Sequence, residues 1–98
     1  MKTVTLCGSM RFAMEMQAIA LDLEVNHGMN VLQCIYNPEG MALSEIQANA
    51  IVQAHYRKIE LSDGIYVVDI GGYIGQSVKQ EIAYAQSLGT EILYHSHH

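Results

Sequence analysis

Residues 62–85 read SDGIYVVDIGGYIGQSVKQEIAYA, and this stretch decides the fold. Residues 65–68 are four consecutive apolar residues between an Asp-Gly pair and Asp69, a pattern typical of a central strand that is buried on both faces. Three glycines within five residues come next, and a segment with helical spacing follows them. The stretch therefore predicts a strand, a glycine-rich loop and a helix that carries Glu81 in its first turns.

The N-terminal third shows the same alternation of strand and helix. Residues 3–7 form a short β-rich run that ends at Gly8-Ser9. From Met10 to about His27, apolar residues recur at three- and four-residue steps, which predicts a helix. Ser9 suits the N-cap of this helix and Gly28 suits the position just beyond its C-terminus. Residues 30–34 predict the second strand.

A loop over residues 35–43, which holds the single proline Pro38, leads into the second helix. Ser44 and Gln47 have the spacing of a capping box, and the helix is predicted to continue to about Leu61. One side of this helix would carry Ile51, Ala54, Lys58 and Leu61, with more exposed positions at His55, Arg57 and Glu60.

The C-terminal third completes the pattern. Ser77 and Gln80 are a second candidate capping box, the third helix would run to Leu88 before Gly89, and residues 91–94 predict the last strand. The order β-α-β-α-β-α-β predicts a three-layer α/β fold of the flavodoxin or Rossmann type, with a four-stranded parallel sheet in the order 2-1-3-4. We expect one domain over residues 1–95, with residues 96–98 as a tail or the remnant of a purification tag.

The composition limits the classes of partner. A chain of 98 residues allows one domain, and the formal net charge of −5 without a basic run argues against binding to nucleic acid. Apolar residues make up 50% of the chain and charged residues only 15%, so we expect part of the apolar surface to lie in a homodimer or a larger homo-oligomer.

Several sequence features bear on location. No stretch approaches the roughly 20 apolar residues of a membrane span, and the apolar run at residues 3–7 is too short for a signal peptide. Cys7 and Cys34 have neither a disulfide-framework nor a metal-ligand spacing, and His55 has no second ligand at metal-binding spacing. We therefore expect reduced thiols, a cytoplasmic protein, no membrane association and no metal site.

Two glycine-containing loops are predicted to meet at one end of the sheet. Sheets of this type bind ligands beyond the carboxyl ends of the strands, at the switch point between strands one and three. In the first loop, Gly8, Ser9 and Arg11 would bind a phosphate through open N–H groups, a hydroxyl and a guanidinium. The alternative is a tight turn with a capping serine and a surface arginine. Neither a Walker motif nor a dinucleotide-binding Gly-x-Gly-x-x-Gly motif occurs in the chain.

The second loop contains Gly71, Gly72 and Gly75, which allow the backbone to turn tightly and approach a ligand closely. Tyr73 and Ile74 lie between these glycines. They would either cover the apolar face of a base or a sugar, or serve as packing or dimer contacts.

Two carboxylates accompany this loop. Glu81 is either a catalytic carboxylate or a solvent-facing residue that the helix dipole stabilises. Asp69, at the end of the third strand, would either orient a hydroxyl or donate a proton, or it ends the strand in an Asx turn.

These motifs resemble those of a known enzyme family. Cys7-Gly8-Ser9-Met10-Arg11 after the first strand resembles the Cys-Gly-Ser-x-Arg segment of nucleoside 2-deoxyribosyltransferases and 2′-deoxynucleoside 5′-phosphate N-hydrolases. Residues 71–77, followed by Glu81 and Ala85, are similar to the small, mostly uncharacterised proteins grouped near that family, and Glu81 matches the position of its nucleophile.

The resemblance implies a double displacement at an anomeric carbon. Glu81 would attack C1′ of a 2′-deoxyribosyl group, and the glycosyl-enzyme would then react with water or with another base. Asp69 would assist the leaving base or orient the sugar. The 5′-phosphate or 5′-hydroxyl would be held by Ser9, Arg11 and Ser77 with backbone donors from Gly8 and Gly75, and the substrate contacts would include Gly72 and Tyr73. This chemistry requires no metal and no redox cofactor.

Two other functions remain open on the sequence alone. Ser77 and Lys79 stand where the enzymes have glycines, and Gly75 stands where they often have an aspartate, which favours a non-catalytic module that binds and senses a nucleotide. A domain whose apolar surface mainly drives assembly is the third possibility. The retained Glu81 favours the enzyme.

Overall fold

The computed structural model describes residues 1–37 and 39–97, so Pro38 and His98 lie outside the described residues. Four strands and three helices alternate along the chain. Their bounds are β1 (Thr3–Gly8), α1 (Ala13–His27), β2 (Asn30–Leu32), α2 (Glu45–Leu61), β3 (Gly64–Val68), α3 (Gln76–Ser87) and β4 (Glu91–Tyr94). Short 3₁₀ turns follow β1, β3 and β4, at Met10–Phe12, Ile70–Gly72 and His95–His97.

The sheet is entirely parallel and its strand order is β2-β1-β3-β4. This confirms the predicted fold class and strand order. β3 pairs with β1 in a register that places Val67 beside Cys7 and Val68 beside Gly8, so the two strands end at the same level. All five residues of β3 are buried, as expected for a central strand. β2 is shorter than predicted and ends at Leu32.

The helices cover the two faces of the sheet unequally. Alternate residues of a strand point to opposite faces, so Leu6 and Cys7 belong to different halves of the core. The first half packs α1 against β1, β2 and β3 through Met16, Ala20 and Leu23. The second half contains Cys7 and Val67 together with side chains of α2 and α3, namely Ile59, Val78 and Ala85. Side chains of α2 and α3 therefore lie on the face to which Cys7 points.

Two predicted helix ends are confirmed. Ser44 and Gln47 form a complete capping box, in which Gln47 N donates to Ser44 Oγ at 3.1 Å and Ser44 N donates to Gln47 Oε1 at 3.0 Å. α1 ends at Gly28 in the left-handed conformation, with φ of 65°. Ser9 caps the 3₁₀ turn at Met10–Phe12, so α1 itself begins later than predicted, at Ala13.

Two predictions about helices are wrong. His55 is buried, and Leu61 is 61% exposed, because the inner face of α2 is formed by His55 and Ile59. Ser77 is not the N-cap of α3: the helix begins at Gln76 after the extended Gly75, whose carbonyl accepts from Lys79 N at 3.0 Å. Ser77 therefore lies within the first turn of α3.

Residues 1–37 and 39–97 contain no helix with both the length and the apolar character that crossing a membrane requires.

Candidate functional site

A cavity of about 510 Å³ lies at the carboxyl end of β1, between α2 and the start of α3. Six of the predicted site residues line it: Gly8, Ser9, Tyr73, Gly75, Ser77 and Glu81. The lining does not include the other three, Arg11, Asp69 and Gly72. Residues from both glycine-containing loops thus meet at one cavity, which Glu81 lines and Asp69 does not.

Gly8 is needed for packing at the base of this cavity. A Cβ atom at Gly8 would lie 2.9 Å from Met16 Sδ and 3.1 Å from Val68 Cβ, both too close for an ordinary contact. The next residue, Ser9, accepts a hydrogen bond from Arg11 N at 3.3 Å, which leaves its hydroxyl proton available to donate.

Arg11 lies just outside the cavity lining, against Tyr73, and we call this edge of the cavity the rim. The guanidinium carbon of Arg11 lies 3.7 Å from the centroid of the Tyr73 ring, a cation–π contact. Phe12 packs edge-on against the same ring, with centroids 6.0 Å apart. Because Tyr73 lines the cavity, this stacking holds the positive charge of Arg11 at its edge.

The start of α3 directs hydrogen-bond donors towards the cavity. The first N–H groups of a helix have no partner within the helix, and Gly75 at the N-cap has no side chain to accept from them. Gly75, Gln76, Ser77 and Val78 all line the cavity. These donors, the Ser77 hydroxyl and the positive end of the helix dipole favour an anionic group at this position.

Asp69 is held by the segment that follows β4. Its carboxylate accepts from Ser96 N at 2.8 Å and from Ser96 Oγ at 2.6 Å. Burial raises the pKa of Asp69, but the hydrogen bonds from Ser96, a hydrogen bond from its own backbone and the charge of His97 together lower the pKa below its ordinary value. In this arrangement Asp69 is an ionised acceptor whose oxygens both serve the chain itself.

Glu81 belongs to a cluster with His55 and Cys7. His55 Nε2 lies 3.3 Å from Glu81 Oε1 and 3.6 Å from Cys7 Sγ. The side chains of His55 and Glu81 are only 10% and 16% exposed. Burial, followed by the negative charge of Glu81, holds the pKa of Cys7 well above its ordinary value, so Cys7 is a thiol in this state.

The two ring nitrogens of His55 have different surroundings. His55 Nδ1 is buried and has no hydrogen-bond partner within the part of the chain that the structure describes. Nε2, by contrast, contacts both Cys7 Sγ and Glu81 Oε1. His55 therefore presents one nitrogen to the thiol and to the carboxylate.

The sequence prediction missed His55, which was expected to be exposed. A signal for its burial was present, because Ile51, His55 and Ile59 recur at four-residue steps and so share one face of α2. The side of α2 that was predicted to face inward, with Ala54, Lys58 and Leu61, had only Ile51 in common with this face. Cys34, on the loop after β2, also lines the cavity, and neither Cys34 nor Cys7 forms a disulfide in the described ranges.

Comparison of the chain with protein-family models, with curated proteins and with solved structures finds no match. The likeness to nucleoside 2-deoxyribosyltransferases therefore rests on the residues quoted above.

Proposed function

We propose that the protein cleaves or transfers the N-glycosidic bond of a 2′-deoxynucleoside or its 5′-monophosphate, with Glu81 as the nucleophile. One observation carries the proposal: a half-buried Glu81 lines the cavity, with His55 Nε2 3.3 Å from one of its oxygens. A carboxylate held in this way beside a cavity is suited to attack a sugar carbon that develops positive charge.

The reaction would proceed in two steps. In the first, a Glu81 oxygen bonds to C1′ while the C1′–N bond breaks, and the base leaves with the bonding electrons and takes a proton from solvent. In the second, water or a second base attacks C1′ and releases a proton to solvent, the ester to Glu81 breaks, and the carboxylate is restored. The contact with His55 Nε2, at 3.3 Å, would hold the Glu81 carboxylate in position between turnovers.

The size of the cavity suits a ligand as large as a nucleotide. Its volume of about 510 Å³ falls within the range of roughly 300–1,000 Å³ that is usual for small-molecule sites. The N-terminus of α3, the hydroxyls of Ser9 and Ser77, and Arg11 at the rim would hold a 5′-phosphate. Tyr73 would contact the apolar face of the base or sugar.

Asp69 has a restricted part in this proposal. Because Ser96 occupies both of its oxygens, Asp69 would reach a leaving base or a sugar hydroxyl only if the segment at His95–His97 moved away. We therefore assign Asp69 a structural role, in which its hydrogen bonds with Ser96 stabilise the loop after β3.

The test is to incubate the protein with each deoxynucleoside 5′-monophosphate and to measure the release of free base by chromatography. Glu81→Gln removes the nucleophile and keeps the size of the side chain, and Asp69→Asn is the matched control at the other carboxylate. We expect release by the wild type and by Asp69→Asn, and none by Glu81→Gln. Release that survives Glu81→Gln would exclude Glu81 as the nucleophile.

A second candidate is a non-catalytic nucleotide-binding module. The donors at the start of α3 favour it, because they lie on the cavity wall and their binding of phosphate does not involve Glu81. In this case no base is released, and a deoxynucleotide raises the melting temperature of wild type and Glu81→Gln equally.

We also propose a homodimer that resides in the cytoplasm. Met14, Leu21 and Val25 share one side of α1 and are 82%, 66% and 69% exposed, which suits a subunit contact. The two free thiols suit a reducing compartment. Sedimentation equilibrium tests the dimer, with Leu21→Glu as the disruptive variant.

A further inference from the structure

Three metal-ligating side chains from three different elements meet beside the cavity. Cys7 lies in β1, His55 in α2 and Glu81 in α3, and their sulfur, nitrogen and oxygen atoms all lie within 4.8 Å of one another. We propose that Cys7, His55 and Glu81 bind Zn²⁺ or a divalent transition-metal ion of similar preference. This goes beyond the proposed glycosidic chemistry, which requires no metal.

Two of the three separations between the ligand atoms match those around a tetrahedral zinc ion, and the third, from Cys7 to Glu81, is within 4.8 Å. Zinc–ligand bonds of about 2.3 Å to sulfur and about 2.1 Å to nitrogen or oxygen give separations of about 3.6 Å between sulfur and nitrogen and about 3.4 Å between nitrogen and oxygen. The observed separations are 3.6 Å from Cys7 Sγ to His55 Nε2 and 3.3 Å from His55 Nε2 to Glu81 Oε1. An ion would therefore enter with little movement of His55 Nε2 relative to either partner atom.

The charge and chemistry of the cluster also favour a cation. A thiolate, a neutral imidazole and a carboxylate are the three ligand types that zinc takes in proteins. Cys7 and His55 are buried and Glu81 is half-buried, so an ion would be held in a poorly solvated position with two negative ligands. Binding releases the Cys7 proton and places the positive ion between the resulting thiolate and the Glu81 carboxylate.

The fourth position of the ion would face the cavity. His55 and Glu81 both line the cavity, whereas Cys7 lies behind them in β1. Three protein ligands with one open position towards a cavity is the arrangement of zinc sites that accept water or a small ligand. An ion here would also occupy Glu81 Oε1, so we expect zinc to inhibit any reaction that uses Glu81 as a nucleophile.

The affinity of this site for zinc should be lower than that of a structural site in which four protein ligands surround the ion. A histidine that binds zinc normally donates its other N–H to an outer partner, and loss of such a partner costs about 10–100-fold in affinity. His55 Nδ1 has no such partner among residues 1–37 and 39–97.

Cobalt(II) is the probe, because its thiolate charge-transfer band reports a bond to cysteine and its visible bands report tetrahedral coordination. The reduced full-length protein is titrated with Co²⁺, and Zn²⁺ is then added to displace it. We expect both sets of bands in the wild type and their loss on addition of Zn²⁺. The histidines near the C-terminus cannot produce the charge-transfer band.

Matched variants identify the ligands. Cys7→Ser should abolish the charge-transfer band, whereas Cys34→Ser, which changes the other thiol beside the same cavity, should leave it intact. His55→Gln and Glu81→Gln should each weaken Co²⁺ binding by more than about 10-fold, since each removes a direct ligand. Circular dichroism checks that each variant folds, and the His55→Gln titration replaces Cys7→Ser if the latter does not fold.

The outcomes separate the two proposals. Absence of the charge-transfer band in the wild type, or its loss in Cys34→Ser but not in Cys7→Ser, would overturn the metal site. Failure to release base from deoxynucleotides would overturn the proposed reaction and leave the cobalt spectrum unaffected.

Discussion

Glu81 and Asp69 are two carboxylates that follow the same strand, β3, and the chain places them in different surroundings. Asp69 is buried, and both of its oxygens accept hydrogen bonds from Ser96. Glu81 lines the cavity, where His55 Nε2 lies 3.3 Å from one of its oxygens. The difference shows that distance along the chain from the glycine-rich loop does not decide which carboxylate can meet a ligand. What decides it is whether donors from the chain already occupy the oxygens.

The strongest test of this contrast is the activity of two matched amide variants. Glu81→Gln should lower the rate of base release by about 10³-fold or more, the scale expected when a nucleophile is removed. Asp69→Asn should retain most of the activity, because its carboxylate faces Ser96. Steady-state assays with chromatographic detection measure both rates.

The contrast is contradicted if the activities of the two variants are the reverse of those expected. A severe loss of activity in a folded Asp69→Asn, with near-normal activity in Glu81→Gln, would mean that the carboxylate near Ser96 carries the chemistry.

The second expected effect is on stability, and here the substitution at Asp69 is the one with a large effect. Asp69→Asn should lower the free energy of unfolding at neutral pH by about 1.5–3 kcal/mol, because a buried charged acceptor of two hydrogen bonds is lost. Ser96→Ala removes only the hydroxyl donor and should cost less. Urea denaturation measures each change, with Asp22→Asn at an exposed position as the control. Equal stability of Asp69→Asn and the control would contradict the structural role.

The third expectation concerns acid. The pKa of Asp69 is lower in the folded protein than its ordinary value of 3.8, so the unfolded chain binds the proton more readily. The stabilisation from Asp69 is therefore fully present above that ordinary pKa and is lost as the pH falls through the lower, folded value. The difference in stability between wild type and Asp69→Asn should shrink over this acidic range. Denaturation at a series of pH values measures it, and a difference that grows towards low pH would contradict the assignment.

The smallest expected effect is on substrate binding, at Arg11 on the rim of the cavity that Glu81 lines. Arg11→Ala should raise the KM for a deoxynucleoside 5′-monophosphate about 10-fold, which corresponds to about 1.4 kcal/mol, and should leave the KM for the unphosphorylated nucleoside unchanged. Arg11→Lys keeps the charge but loses the planar stack on Tyr73, so its effect should be intermediate. An equal rise for both substrates would place Arg11 outside the phosphate contact.

Much of the fold could be predicted because its signals are local. The apolar residues of β3, the capping box at Ser44 and the glycine at the end of α1 each decide a strand or a helix end within a few residues. The start of α3 could not be predicted as well. Ser77 offered a capping hydroxyl, but Gly75 has the extended backbone that begins the helix two residues earlier.

The sequence by itself determined the order of elements, the parallel sheet and the meeting of the two glycine-containing loops, because hydrophobic periodicity and short connections allow few other arrangements. Only the tertiary structure decided the neighbours of each carboxylate. His55 is 48 residues from Cys7, and Ser96 is 27 residues from Asp69. Contacts over such distances depend on the register of β1 and β3 and on what the inner face of α2 packs against, and neither is encoded in a local pattern.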